Sequence, residues 1–305
     1  MFGLIDLFRD TYTYRVIVEM AILTGSILPG LIIGLAVSSF LVAWWPIDRL
    51  KTGPFLHGAA AVMVMACVGI VSPFCTYLAI PIAAALILGG ITPAPVFAFL
   101  CATPLMNPTL FAMTWSAFGW QMALARTVSA FGFGILGGSL AGLVASRIPH
   151  FFDLKHPEAI PSLENREQNL SFMRAWWNSF HHLGKFVVKY VSVGICIAAI
   201  VKEVIPISYI EAAVGRSHGY GILTGALLGV PLYACGGGTI PLIQVLMNMG
   251  MSPGAALAFF LAGPATKVPT LVTMQMTMGT FITGVYFFLA LLWAVAVGFI
   301  YQFLF

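Results

Sequence analysis

Charge is what this chain has least of. Of its 305 residues, 8% are Asp, Glu, Lys or Arg, where a soluble domain carries roughly a quarter. That scarcity excludes an extensive water-facing surface. With 60% hydrophobic residues and a mean hydropathy of +0.98, the chain reads as an integral membrane protein. Cysteine is sparse too. Cys67, Cys75, Cys101, Cys196 and Cys235 all lie in apolar stretches, and an odd, buried set is no secreted disulfide framework. The six histidines fall in or beside loops, and none pairs with another as haem ligands on facing spans would. No phosphate-binding loop is present, because CGGGT at 235–239 lacks the lysine and the preceding strand. No protease or nucleophile-elbow pattern occurs. We therefore expect no enzyme activity, no cofactor, no metal site and no nucleic-acid partner. The first strong apolar run begins near Val16, after Arg9 and Arg15, and no small-residue cleavage site closes it. It reads as a retained span rather than a signal peptide.

Glycine and proline, by contrast, are plentiful, at 31 and 18 residues. Both interrupt helices, and they are concentrated at four places: SPFCT (72–76), TPLMNP (103–108), YACGGGT (233–239) and GPATKVP (263–269). Unpaired backbone groups at membrane depth are tolerated only against protein or a wet cavity. Four such interruptions therefore point to a transport site. They also fall in one register. Cys75 matches Cys235, Pro81 Pro241, Gly90 Gly250, Pro93 Pro253, Ala98-Phe99 Ala258-Phe259, and Pro104 Pro264, each 160 positions apart (235 − 75 = 160). Six punctuating residues in a gapless register read as an internal duplication.

Hydropathy then lays out an all-α polytopic membrane protein of about eight transmembrane helices, since a span needs about 20 residues. These form two homologous four-span halves with discontinuous helices at the centre. Residues 1–146 make the first membrane repeat and residues 184–305 the second. Residues 147–183 form a cytoplasmic linker with an amphipathic helix, in which Phe172, Trp176, Phe180 and Leu183 recur at helical spacing. The basic residues between Arg147 and Lys189 place that linker on the cytoplasmic side. Glu19, near the start of the first span, reads as an interface carboxylate, and Gln121–Ser146 reads as an uninterrupted glycine-rich span. The alternative is that each cysteine-bearing pair of short helices is a re-entrant hairpin, which would invert the second repeat.

The candidate substrate-binding residues sit at the interruptions: Cys75, Cys235, Gly236, Gly237, Gly238, Thr239, Asn107, Thr266 and Lys267. Glycines let a ligand approach the backbone, and half-helix ends offer partial charges. A thiolate is a soft ligand and a nucleophile, although many buried cysteines are only small hydrophobes. Lys267 stands in otherwise apolar sequence, where an uncompensated charge costs on the order of 3 kcal/mol. It is also the candidate proton-coupling residue, against the plainer reading of an amine bonded to helix-end carbonyls. Its counterpart in the first half is Asn107. Gln244 and Gln275 could add to the lining or simply bond neighbouring helices.

YACGGGTIPL with GMSPGAALAFFLAGPATK, and SPFCTYLAIPIAA with the later PLMNP, resemble the ArsP family of permeases, densely over residues 65–113 and 225–270. The resemblance implies a multi-pass bacterial inner-membrane permease with two related halves. It implies export of trivalent organoarsenicals such as methylarsenite and aromatic arsenicals, so that the partners are the lipid bilayer and a small organoarsenical. Two cysteines at matching interruptions suit a thiophilic arsenic. The readings left beside it are a permease of the same fold for another soft, sulfur-bearing or small anionic solute, and a thiol redox enzyme using Cys75 and Cys235. The oligomeric state, a homo-oligomer included, stays open.

Overall fold

The computed structural model describes residues 58–72, 76–88, 91–147, 220–233, 239–248 and 250–305, with scattered positions between 14 and 36 and between 173 and 192. Among the described residues there is no strand. Ten helices have described bounds: α1 (Ala59–Val71), α2 (Thr76–Leu88), α3 (Pro93–Ala102), α4 (Pro108–Phe118), α5 (Trp120–Arg147), α6 (Gly221–Leu232), α7 (Thr239–Asn248), α8 (Pro253–Thr266), α9 (Val268–Met278) and α10 (Thr280–Leu304).

Local chemistry sets most of these bounds. Proline opens α3, α4 and α8, since the N–H it lacks would have no helical partner there and its φ is already helical. Asn107 caps α4 by accepting from the Leu110 N–H at 2.8 Å, and Ser252 caps α8 by accepting from the Ala255 N–H at 3.3 Å. Two helices end on glycines in backbone that other residues avoid: Gly119 at φ 88° after α4 and Gly279 at φ 96° after α9. Each starts a long helix at its next residue.

Those two long helices, α5 with 28 residues and α10 with 25, are long and apolar enough to cross a membrane. At 1.5 Å per residue each exceeds the roughly 30 Å hydrocarbon core. A third crossing exists if α8 and α9, bent by 43° between them, count as one span. Large apolar side chains stand exposed along the long helices, among them Leu124, Val128 and Leu143 on α5 and Phe281, Phe288 and Leu292 on α10. This is what a lipid-facing surface requires. The expected first span (16–43) and the one at 186–204 lie largely outside the described residues, as does most of the linker. Within the linker, the Trp176 indole donates to the Ala36 carbonyl at 3.2 Å and its ring meets that of Phe180 at 6.0 Å.

The helices assemble as two groups. In one, α3 is packed between α1 and α5; in the other, α8 is packed between α6 and α10. Every residue of α3 from Pro95 and of α8 from Gly254 is buried, as a helix apolar all round must be. Small residues let the backbones close up, the usual device where lipid supplies no hydrophobic drive. A Cβ on Gly138 would lie 2.7 Å from the Ala94 carbonyl, 2.8 Å from Ala98 and 2.9 Å from Val62. One on Gly298 would lie 2.9 Å from the Gly254 carbonyl, 2.9 Å from Ala258 and 2.8 Å from Ile222. The four residues of each set are those of the other displaced by 160. Gly69 against Phe99 and position 103, and Gly229 against Phe259 and position 263, repeat the pattern.

The groups meet along α5 and α10, where the Trp293 indole donates to both the carbonyl and the hydroxyl of Ser129, at 3.1 and 2.9 Å. Shorter helices cross between them: α2 packs on α9, and α7 on α4. One expected boundary moves. The interruption in GPATKVP falls at Lys267, because α8 runs through Gly263 and Pro264 to Thr266. A proline near a helix end removes one N–H bond only, and the surrounding helices hold the turn in place.

Candidate functional site

The site is best built outward from a residue that the sequence reading passed over. Arg126 lies in the first half of α5 and is wholly buried, at 0% exposure. Its Nε donates to the Leu105 carbonyl at 3.1 Å, one terminal nitrogen to the Thr114 hydroxyl at 3.0 Å, and the other to the Tyr233 hydroxyl at 3.3 Å. The guanidinium carbon sits 4.9 Å from the centre of the Phe260 ring, a cation–π distance. Thr114 is held in turn by donating to the Leu110 carbonyl at 2.6 Å.

This one side chain joins two of the four interruptions. Leu105 belongs to TPLMNP, and Tyr233 ends α6 at the head of YACGGGT. Tyr233 also reaches the third. Its ring covers Gly263, so closely that a Cβ there would lie 2.5 Å from the tyrosine Cδ2, and it stands 6.2 Å from the Phe259 ring. The fourth interruption approaches the second from the other side. Ser72 closes α1 by donating its hydroxyl to the Gly69 carbonyl at 2.8 Å, and a Cβ on Gly69 would lie 3.1 Å from the Thr103 hydroxyl. The described edges of all four interruptions thus form one connected cluster.

The expected site residues divide. Cys75, Cys235, Gly236, Gly237 and Gly238 lie outside the described residues. Lys267 is described and buried, at 5% exposure. Its N–H donates to the Gly263 carbonyl, and its own carbonyl accepts from the Thr270 and Leu271 N–H groups, so its backbone makes the turn between α8 and α9. The carboxamide oxygen of Asn107 is occupied in capping α4. The Thr266 hydroxyl donates back to the Ala262 carbonyl at 2.7 Å, a bond within its own helix. Thr239, at the start of α7, is 2% exposed with its hydroxyl unpartnered among the described residues. Thr270, in the first turn of α9, shares both features. An orphaned buried hydroxyl costs about 1–3 kcal/mol, which a ligand or water would recover. Gln244, expected as lining or as helix glue, is exposed, and its amide donates to the Ala117 carbonyl across the α4–α7 contact at 3.4 Å. Cys67 is exposed on α1 and Cys101 is buried on α3 against Gly137.

What the reading of Gln121–Ser146 as an uninterrupted span missed was the charge inside it. A second signal stood beside that one. No Asp or Glu occurs between Asp48 and Asp153, and none follows Glu211. The two buried cations, Arg126 and Lys267, therefore lie in segments without a carboxylate. The arrangement can hold an electron-rich or anionic group between helix ends.

Comparison with known proteins agrees with this geometry. Across residues 16–303 the chain matches ArsP_1, a family described as predicted permeases. A UPF0718 protein of Methanocaldococcus jannaschii is 30% identical over 128 residues, which cover 42% of this chain. The match spans about a third of that archaeal protein, 35% of its length. No solved structure matches. A chain whose long apolar helices are lipid-facing outside, and whose interruptions gather around buried cations inside, is a membrane protein and belongs to the ArsP_1 family of predicted permeases.

Proposed function

We propose that the protein is a secondary transporter of a bacterial inner membrane that exports trivalent organoarsenicals in exchange for protons. The observation that carries the transport reading is the cluster of interruptions around Arg126 and Tyr233. Helix ends brought together at membrane depth are useful chiefly as a solute site. The arsenical reading rests on Cys75 and Cys235, placed by sequence beside two of those interruptions, and on the thiophilicity of trivalent arsenic. Methyl or phenyl groups on the arsenic would suit the Phe, Met and Ala walls nearby. Lys267, buried at the turn between α8 and α9, is the candidate to take up and release a proton.

The eight-span plan belongs to the same reading, with residues 1–146 and 184–305 as copies and 147–183 as a cytoplasmic linker. It is supported by contacts that recur 160 residues on, at Gly138 and Gly298 and at Gly69 and Gly229. The exchange of short helices, α2 onto α9 and α7 onto α4, is what an approximate two-fold relation between copies would produce. The test is resistance. Cells expressing the protein should survive methylarsenite and phenylarsenite at concentrations that kill control cells, and the Cys75→Ser/Cys235→Ser double variant should not protect them. Equal sensitivity with and without the protein would reject the substrate.

A further inference from the structure

We propose that Arg126 is the binding residue for a small anion, a site independent of the two cysteines and of any role for arsenic. A guanidinium buried in apolar surroundings costs several kcal/mol unless its charge is met. All the partners it has among the described residues are neutral: one carbonyl, two hydroxyls and one aromatic ring. Those bonds satisfy N–H donors but do not neutralise the charge. No described residue carries a carboxylate, and the sequence around this cluster has none from residue 49 to 152 or beyond 211.

The partners suit a ligand as well as they suit the arginine. The Tyr233 hydroxyl accepts from the guanidinium and can turn its proton toward a bound anion, whereas the Thr114 proton is already given to the Leu110 carbonyl. Tyr233 ends a helix that stops there, and Leu105 lies in a turn between two helices. Two of the arginine's partners thus stand where the backbone leaves a helix. The charge also falls differently in the two groups. Position 286, the counterpart of 126, holds tyrosine, and position 107, the counterpart of 267, holds asparagine. Each group thus supplies one cation, at a different one of the two positions. A device needed only for packing would have no reason to be placed so.

The anion is either the solute carried or an ion bound beside a neutral solute, and the chemistry at Arg126 is the same for both. The test uses the purified full chain in detergent, with chloride, sulfate and inorganic phosphate as probes, each exchanged for gluconate at constant ionic strength. Thermal unfolding should show a saturable stabilisation by at least one probe. Arg147→Gln, at the exposed far end of α5, should keep that response. Arg126→Lys should weaken apparent affinity at least about tenfold, because a lysine cannot present the planar fork, and Arg126→Gln should abolish it. Should Arg126→Gln fail to fold, Tyr233→Phe serves in its place and should weaken the response. No saturable response in the parent protein, or an undiminished one in the Arg126 variants, would overturn the proposal. So would a response that appears or strengthens only in Glu19→Gln, Glu203→Gln or Glu211→Gln, because in the parent the chain would then supply its own counter-charge. Counterflow of labelled probe in proteoliposomes separates the sources: accumulation identifies the anion as cargo, and binding without flux identifies it as a companion ion.

Discussion

The two helix groups share their packing and differ in their polar chemistry. Gly138 and Gly298 admit the same neighbours at nearly the same distances, and the glycines at 119 and 279 turn the chain at φ 88° and 96°. Yet α3 stops at Ala102 while α8 runs on through its proline to Thr266. Asn107 caps the helix it precedes, whereas Lys267 at the matching place offers no side-chain cap. Where one group has Arg126, the corresponding position of the other holds Tyr286. Backbone approach is a steric matter, set by small residues and hard to alter without loss of packing. Charge is not required for that packing, so it can diverge wherever function asks for it.

The largest effect should come from breaking this contrast at its centre. In protein saturated with the stabilising anion, replacing Arg126 by Leu removes both the charge pair and the donor to the Leu105, Thr114 and Tyr233 oxygens, which should cost on the order of 3 kcal/mol or more. Tyr286→Phe, at the equivalent position, should cost far less. Thermal unfolding of the two purified variants measures both, and equal losses would erase the distinction drawn between the groups.

The next effect tests the likeness instead. Gly138→Val and Gly298→Val should each destabilise by about 1–3 kcal/mol, because the new side chain meets backbone carbonyl oxygen. Gly284→Ala, with nothing within 4 Å, should be close to neutral. Unequal losses at 138 and 298 would argue against equivalent packing.

A functional contrast comes third. Lys267→Ala should abolish transport driven by a pH gradient in vesicles. Asn107→Ala should cost about 1 kcal/mol of stability through the lost cap while leaving gradient-driven transport in place. Retention of that transport in Lys267→Ala would remove the coupling role. The smallest effect concerns the seam between the groups. Trp293→Phe loses two bonds to Ser129 and should cost about 1 kcal/mol, more than Ser129→Ala, which leaves the carbonyl to accept. The two unfolding midpoints decide this.

Much of the plan was legible from residue order. The apolar, helical character and the glycine- and proline-rich stretches at 72–76, 103–108, 233–239 and 263–269 could be read, because glycine and proline act on the backbone where they stand. The GPATKVP interruption narrowed to Lys267, since neighbouring helices tolerate Gly263 and Pro264 inside α8. Arg126 escaped notice because one charge in the interior of a 28-residue, mostly apolar helix that ends on a second arginine hardly alters the average by which a span is recognised. The Thr266 hydroxyl gives its proton to the Ala262 carbonyl of its own helix, and the sequence carries no sign of that choice.

The sequence by itself determined that this chain is a membrane protein of apolar helices, and it marked where glycine and proline gather. Composition and backbone-breaking residues are local properties, and they act alike in any surroundings. Only the tertiary structure decided that Leu105, Arg126, Tyr233 and Gly263 adjoin one another. Residues more than a hundred positions apart become neighbours through the packing of the helices that carry them, and no local preference encodes that meeting.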